Sequence, residues 1–228
     1  MINSLNNSDM APHYYYKYAQ KNIECVCSEC FCPSQRAFRY SFVYVDEKQK
    51  LIYFNVPKCA SSSLRDLFFN LNNSYSMKNP EQNLEQYFKF SFVRNPWHRM
   101  VSNWKMFTTK QRRIKQLKAM TNKDMAHFME FENFVRFAKE NKNHHWQPQF
   151  LYHPEDLDFI GKLETIDDDL NHIFDHLGKE RTQVKHLNKT NTKADDSTSY
   201  TRYYTPSLID FVGDIYAEDV KRFGYEFG

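Results

Sequence analysis

Short apolar runs alternate with amphipathic stretches along this chain, and that alternation fixes the fold class. Residues 51–56 form an apolar run that passes through Pro57-Lys-Cys-Ala-Ser-Ser-Ser63 into a helical pattern with Leu64, Leu67, Phe68 and Leu71 on one face. Residues 90–93 lead in the same way through Arg94-Asn-Pro into a second helical stretch, with Pro96 where a first helical turn tolerates proline. Residues 158–161 read as a third buried strand, followed by a helix over 166–177 that stops at Gly178. Upstream, residues 42–45 and the Asp46-Glu-Lys-Gln-Lys50 connection make a hairpin with the first run. Further helices are expected at 62–71, 110–120, 128–140 and 206–223. Strands alternating with helices predict an α/β fold with a mainly parallel central sheet flanked by helices.

The 228 residues suit one domain with a full core: a polar arm at 1–20 and a single domain over 21–228. Aromatic residues make up 17% of the chain, which is the composition of a packed protein and not of a disordered one. The net charge of +3 is too mild for binding nucleic acid by bulk charge, so attraction for anions has to be local. No apolar stretch is long enough to span a membrane, and no basic region precedes an apolar core at the N-terminus. The expectation is a cytoplasmic protein. Cys25, Cys27, Cys30 and Cys32 crowd together, which allows a thiolate metal site, a local disulfide or reduced thiols.

Strand, short loop and helix start together aim free backbone N–H groups and the positive helix end at an anion. In residues 57–63, which include Cys59, Lys58 adds a mobile cation, Ser61, Ser62 and Ser63 add hydroxyls, and Ala60 and the serines are small enough to let a phosphate approach the backbone. An ordinary Ser-capped helix would need only one of these serines. A Walker loop needs glycines and a Lys directly before the hydroxyl, and neither is present. In the second unit, Arg94 stands at a strand end and Ser102 two turns along a helix, so a guanidinium fork and a hydroxyl can converge on one phosphate.

Together the two units resemble the donor-binding signatures of sulfotransferases that use 3′-phosphoadenosine 5′-phosphosulfate (PAPS). Pro57-Lys58-x-x-Ser61-Ser62-Ser63 is similar to the 5′-phosphosulfate loop, and Arg94-x-Pro96-x-x-Arg99-x-x-Ser102 to the 3′-phosphate site. His145-Trp146-x-Pro148-Gln149, Asp158-Phe-Ile-Gly161-Lys-Leu-Glu164, Tyr203-Tyr-Thr-Pro206, Tyr216-Ala-Glu-Asp219 and Phe223-Gly-Tyr225 extend the likeness to Golgi-type carbohydrate sulfotransferases and their bacterial relatives. The resemblance implies a P-loop-like nucleotide-binding architecture, PAPS as donor, 3′-phosphoadenosine 5′-phosphate (PAP) as product, a carbohydrate hydroxyl as acceptor and no required metal. The membrane anchor of the Golgi enzymes and a counterpart of the cysteine cluster are missing from the match.

Sulfuryl transfer needs a base for a weakly acidic sugar hydroxyl and a cation for the leaving oxygen. Lys58 is the expected cation and His145 the expected base, with His144 the fallback and Glu164 a rival that fits a structural role better. Lys185 and Lys189 fall where family members carry a loop over the nucleotide. The basic stretch 110–118 places Arg112 and Lys115, extended by Lys118, on one face, with Ile114 and Leu117 on a neighbouring inward face; the basic face is either a solvated surface or a border of the acceptor cleft that attracts an anionic polysaccharide. Two other classes are weighed: a catalytically silent PAPS- or glycan-binding module of the same fold, and a kinase, which lacks its Walker loop here.

Overall fold

The computed structural model describes residues 43–46, 48–69, 84–181 and 200–228. The polar arm, the four clustered cysteines (Cys25, Cys27, Cys30, Cys32), Leu71, Lys185 and Lys189 lie outside the described residues. Four strands form one sheet in chain order: β1 (Val43–Asp46), β2 (Leu51–Phe54), β3 (Phe88–Val93) and β4 (Phe159–Lys162). The β1–β2 pair is the expected antiparallel hairpin, and β2, β3 and β4 are parallel to one another. Its turn is closed by Asp46 Oδ1, which accepts from the Gln49 N–H at 2.8 Å.

Ser91 is a polar residue in the middle of a buried strand, and such a group needs partners. It donates to the Phe54 carbonyl at 2.6 Å, so the His153 Nε2–H donates to Ser91 Oγ at 2.9 Å. Burial holds His153 neutral, with its pKa lowered to about 3. Gly161 in β4 has a steric reason: a Cβ there would stand 2.4 Å from the Phe92 ring, which is itself fully buried.

The helices are α1 (Ser61–Phe68), α2 (Pro96–Thr109), α3 (Gln111–Met120), α4 (Met125–Met129), α5 (Phe131–Glu140), α6 (Ile166–His176), α7 (Pro206–Ile215) and α8 (Ala217–Phe223). Ile166, Leu170, Ile173 and Phe174 form one stripe of α6 at helical spacing, and the acids Asp167, Asp168 and Asp169 suit the positive end of its dipole. That stripe, together with Leu64 and Phe68 of α1, packs on Tyr53, Phe90 and Phe92 of the sheet. A second core joins Val93 at the end of β3 to α2, α5, α7, α8 and Trp146.

Two expected helices are each broken in two. The 128–140 pattern is interrupted at Glu130 (φ −77°, ψ 120°), and the 206–223 pattern at Tyr216 (φ −113°, ψ 26°). Apolar spacing runs straight through both breaks, because Phe128, Phe131 and Phe134, like Val212, Tyr216 and Phe223, stay buried across them. At Tyr216 the buried side-chain hydroxyl donates to the Trp146 carbonyl.

Candidate active site

The strand-to-helix loop after β2 is built from strained backbone. Lys58 (φ 75°) and Ala60 (φ 55°) both occupy the left-handed region without being glycine, a cost of roughly 1–2 kcal/mol each that the surroundings have to hold. Ala60 is the N-cap of α1, and no side chain caps that helix. The N–H groups of its first turn are therefore left for an anion. Ser61 differs from the expectation for the three serines: its hydroxyl donates to the Val56 carbonyl at 3.0 Å and pins the loop. Ser62 is half-buried, and Ser63 is buried.

Lys58 is half-buried, and its Nζ rests 3.6 Å from the Met106 sulfur of α2, a weak acceptor. Burial first, and then the charges of Arg94 and Arg113, lower its pKa to about 8. A lysine whose strongest charged neighbours are arginines occupies a site suited to an anion. The Cys59 thiol is fully buried, donates to Gln149 Oε1 at 3.3 Å and is pushed up to about 12 by burial, so it stays a neutral packing group.

After β3 the second loop is closed at its backbone. Asn95 caps α2, its Oδ1 accepting from the Trp97 and His98 N–H groups at 3.1 and 3.3 Å, and Pro96 follows at the first helical position. What this loop presents is side chains. Arg94 Nη1 donates to the Lys58 carbonyl at 3.4 Å, and Nη2 donates to His98 Nε2. His98 is held neutral by burial and by the Arg94 charge, with its pKa lowered to about 3. Ser102 is half-buried on the α2 face that carries His98 at i−4 and Met106 at i+4, between the Arg94 contact and the Lys58 contact.

His145 is buried, and its tautomer follows from its partners. Asn143 Oδ1 already accepts from the His145 backbone N–H at 3.0 Å, so it also accepts from ring Nδ1–H at 2.9 Å, leaving Nε2 with the lone pair. Burial, then His144 and Arg113, then Lys58, hold its pKa well below the usual value. The ring is neutral at pH 7, and a bound anion opposes that shift. The His144 ring lies 3.8 Å from it. Glu164 is occupied as a brace: Oε1 accepts from the Asn95 N–H at 2.8 Å and Oε2 from the Tyr225 hydroxyl at 3.0 Å.

Several residues of these motifs position the site through partners distant in the sequence. Arg99, fully buried, donates to the carbonyls of Pro57 at 3.0 Å, Gln147 at 2.8 Å and His145 at 3.1 Å, so one guanidinium ties the Lys58 loop to the His145 segment. Its guanidinium serves backbone carbonyls on both sides. Gln149 joins the two loops directly: Oε1 accepts from the Arg94 N–H at 2.9 Å as well as from the Cys59 thiol, and Nε2 donates to the Arg94 carbonyl at 2.8 Å. Asp219 of α8 holds Gln149 in turn, accepting from the N–H groups of Gln149 and Phe150 at 2.7 and 2.9 Å. In the basic helix α3, Arg112, Lys115 and Lys118 are exposed, Leu117 is buried as expected, and the cation turned toward the site is Arg113. Arg113 shares its face with Leu117 at i+4, and that spacing is the signal that could have found it.

Lys58, His145, Arg94 and Ser102 are thus gathered around α2, with the open N-terminus of α1 beside them. Two strand-to-helix loops on neighbouring parallel strands, one offering backbone N–H groups and a lysine and the other an arginine and a serine, present donors suited to two anionic groups. The profile of the sulfotransferase family matches residues 41–226, and the chain belongs to that family. Family membership implies PAPS as the donor. The chain is 26% identical over 235 aligned positions to carbohydrate sulfotransferase 11 of Mus musculus, covering 79% of this chain and 66% of the relative. It is 23% identical to carbohydrate sulfotransferase 9 of Homo sapiens, covering 81% and 53%, and 24% identical to carbohydrate sulfotransferase 14 of Danio rerio, covering 75% and 60%. The chain therefore spans between about half and two thirds of the length of these relatives. No solved structure matches it.

Among the described residues, no helix is long and apolar enough to cross a membrane, and no group of three or more His, Cys, Asp or Glu could hold a metal ion.

Proposed function

We propose that the chain is a carbohydrate O-sulfotransferase that uses PAPS as its donor. The observation that carries this reading is the uncapped N-terminus of α1 beside Lys58, a lysine whose main charged neighbours are arginines, in a chain of the sulfotransferase family. The residues fit the donor: the first turn of α1, Lys58, Ser62 and Ser63 meet its 5′-phosphosulfate, and Arg94 and Ser102 its 3′-phosphate. The donor supplies the sulfuryl group, its sulfur–bridging oxygen bond breaking with the electron pair to the 5′-phosphate as the acceptor oxygen bonds to sulfur. Lys58 meets the charge that grows on the leaving oxygen. His145 takes the acceptor hydroxyl proton at Nε2, while Asn143 holds Nδ1 and keeps the tautomer. Arg99 fixes the separation of these two groups through Pro57 and the His145 carbonyl.

The chain's relatives are carbohydrate sulfotransferases, which supports a carbohydrate acceptor, and the exposed Arg112, Lys115 and Lys118 favour an anionic polysaccharide, for which KM rises with salt. Calorimetry with PAP against ATP plus magnesium tests the donor site, and labelled PAPS with a panel of neutral and anionic glycans tests turnover. Binding of PAP without transfer to any glycan would support a silent binding module instead. For the base, His145→Ala lowers kcat by about 10²–10⁴-fold with PAP affinity retained, and a loss below about tenfold moves the role to another residue.

A further inference from the structure

We infer that Arg113 is a third cation of the transfer point and binds the sulfuryl group itself, an assignment that rests on the sulfotransferase reading above. Within the basic stretch 110–118, Lys110, Arg112, Lys115 and Lys118 are exposed, whereas Arg113 is half-buried beside the buried Gln116 and Leu117. Its Nη1 donates to Gln116 Oε1 at 2.7 Å, which fixes the plane of the guanidinium, and its Cζ sits 5.7 Å from the centre of the Phe107 ring. The same ring meets the His145 imidazole edge-on at 5.3 Å between centroids. Met106, the preceding residue of α2, carries the Lys58 ammonium at 3.6 Å. Lys58, Arg113 and His145 therefore gather around two consecutive side chains of one helix.

The electrostatics agree with that placement. Arg113 is among the charges that lower the pKa of both Lys58 and His145, so its field reaches both groups. In an in-line transfer, what lies between the cation of the leaving oxygen and the base of the acceptor hydroxyl is the sulfuryl group. Its negative charge is spread over non-bridging oxygens, and a planar guanidinium can engage two of them at once, which an ammonium cannot. Arg113 makes and breaks no covalent bond in this role; it holds the group in line while the bridging oxygen of the 5′-phosphate keeps the leaving electron pair beside Lys58 and His145 Nε2 takes the proton.

PAP lacks the sulfuryl group and PAPS carries it, so their affinity ratio isolates this contact. Calorimetry without acceptor compares wild type, Arg113→Met, which keeps the stem packed on Phe107, and Arg113→Lys. For Arg113→Met the expected result is a loss of PAPS affinity of about 10–100-fold, the size of a charged hydrogen-bonded contact, with PAP affinity unchanged. Arg113→Lys recovers part of the loss. An equal loss for both ligands would overturn the assignment in favour of a phosphate or structural role. Unchanged donor binding with a raised KM for an anionic glycan would overturn it in favour of the acceptor. Wild-type protein that binds neither nucleotide would sink the donor reading itself, an outcome separate from both.

Discussion

Residues 57–63 and residues 94–102 both carry the chain from the end of a parallel strand into a helix, yet one leaves its helix N-terminus open and the other closes it. After β2, the N-cap is Ala60, which has no side chain to offer, and two non-glycine residues stand at positive φ. After β3, Asn95 occupies the N–H groups of the first turn of α2, and proline removes another donor at the first helical position. The first loop therefore offers an anion its backbone and one lysine, and the second offers side chains alone. The difference is chemical as well as architectural. A charge that grows during transfer is best met by preorganised dipoles that need no reorganisation, whereas a phosphate that keeps its charge throughout needs only a fixed cation.

If that division holds, the two loops fail in different ways. Lys58→Ala is expected to give the largest effect, a fall in kcat of about 10²–10³-fold with the far-UV circular dichroism unchanged. Lys58 also sets the alkaline limit of donor binding: with its pKa near 8, affinity for PAPS falls as pH rises through about 8 in the wild type. Burial, and then the charges of Arg94 and Arg113, place this limit. In Lys58→Ala the limb near pH 8 disappears. A variant that keeps both the limb and wild-type turnover removes Lys58 from the chemistry.

Arg94→Ala breaks the comparison from the other side. Loss of a charged contact present in ground and transition states alike weakens PAP and PAPS binding by about 10–100-fold, while kcat at saturating donor stays near wild type. A collapse of kcat with donor affinity intact would mean that the second loop, too, acts on the transfer step.

The parts of this division that lie within one loop were readable in the sequence, because they depend on residues a few positions apart. The small-residue run after Lys58, the Pro at the start of α2 and the strand-helix alternation are all of that kind. The closure of one helix end was also present as Asn95-Pro96, a cap and first-turn pair whose consequence for the N–H groups needs the hydrogen bonds to be seen. Arg99, Gln149 and Asp219 stand in motifs the sequence shows, but their partners were not readable, since each acts on backbone groups that only the fold brings near. Gln149 bonds to Arg94, 55 residues away, and to Cys59, 90 residues away. In α3 the difficulty was angular: adjacent residues differ by about 100° around a helix, so Arg112 and Arg113 face different surroundings with identical chemistry.

Stability separates the loops more finely than activity does. Asn95→Ala removes the cap of α2, and a loss of about 1 kcal/mol is expected, within the 0.5–2 kcal/mol typical of such caps, read as a lower denaturant midpoint. Donor affinity changes little by comparison, since the N–H groups that Asn95 occupies are not those that meet the ligand. Weakening of donor binding as large as that of Arg94→Ala would show that the cap also orients the arginine.

The smallest effect, and the finest test of the first loop, comes from Ala60→Gly. Alanine at φ 55°, ψ 21° carries roughly 1–2 kcal/mol of left-handed strain that glycine does not, while glycine loses about 0.4–1 kcal/mol more in chain entropy on folding. The net expectation is a gain of about 0–1.6 kcal/mol, opposite in sign to Asn95→Ala although both substitutions fall at N-cap positions. Lys58 shares the positive φ, but changing it alters the chemistry, so Ala60 is the clean probe. The strain is held by tertiary bonds that do not involve the Ala60 side chain: Ser61 to Val56, Arg99 to Pro57 and the Cys59 thiol to Gln149. With those ties intact, the glycine variant keeps its loop conformation and binds PAP nearly as well as wild type. A clear loss of stability in Ala60→Gly would mean that the left-handed turn is not a strained state held by its neighbours. A clear loss of PAP affinity with stability raised would mean that the rigidity of alanine itself keeps the open helix end ready for the donor.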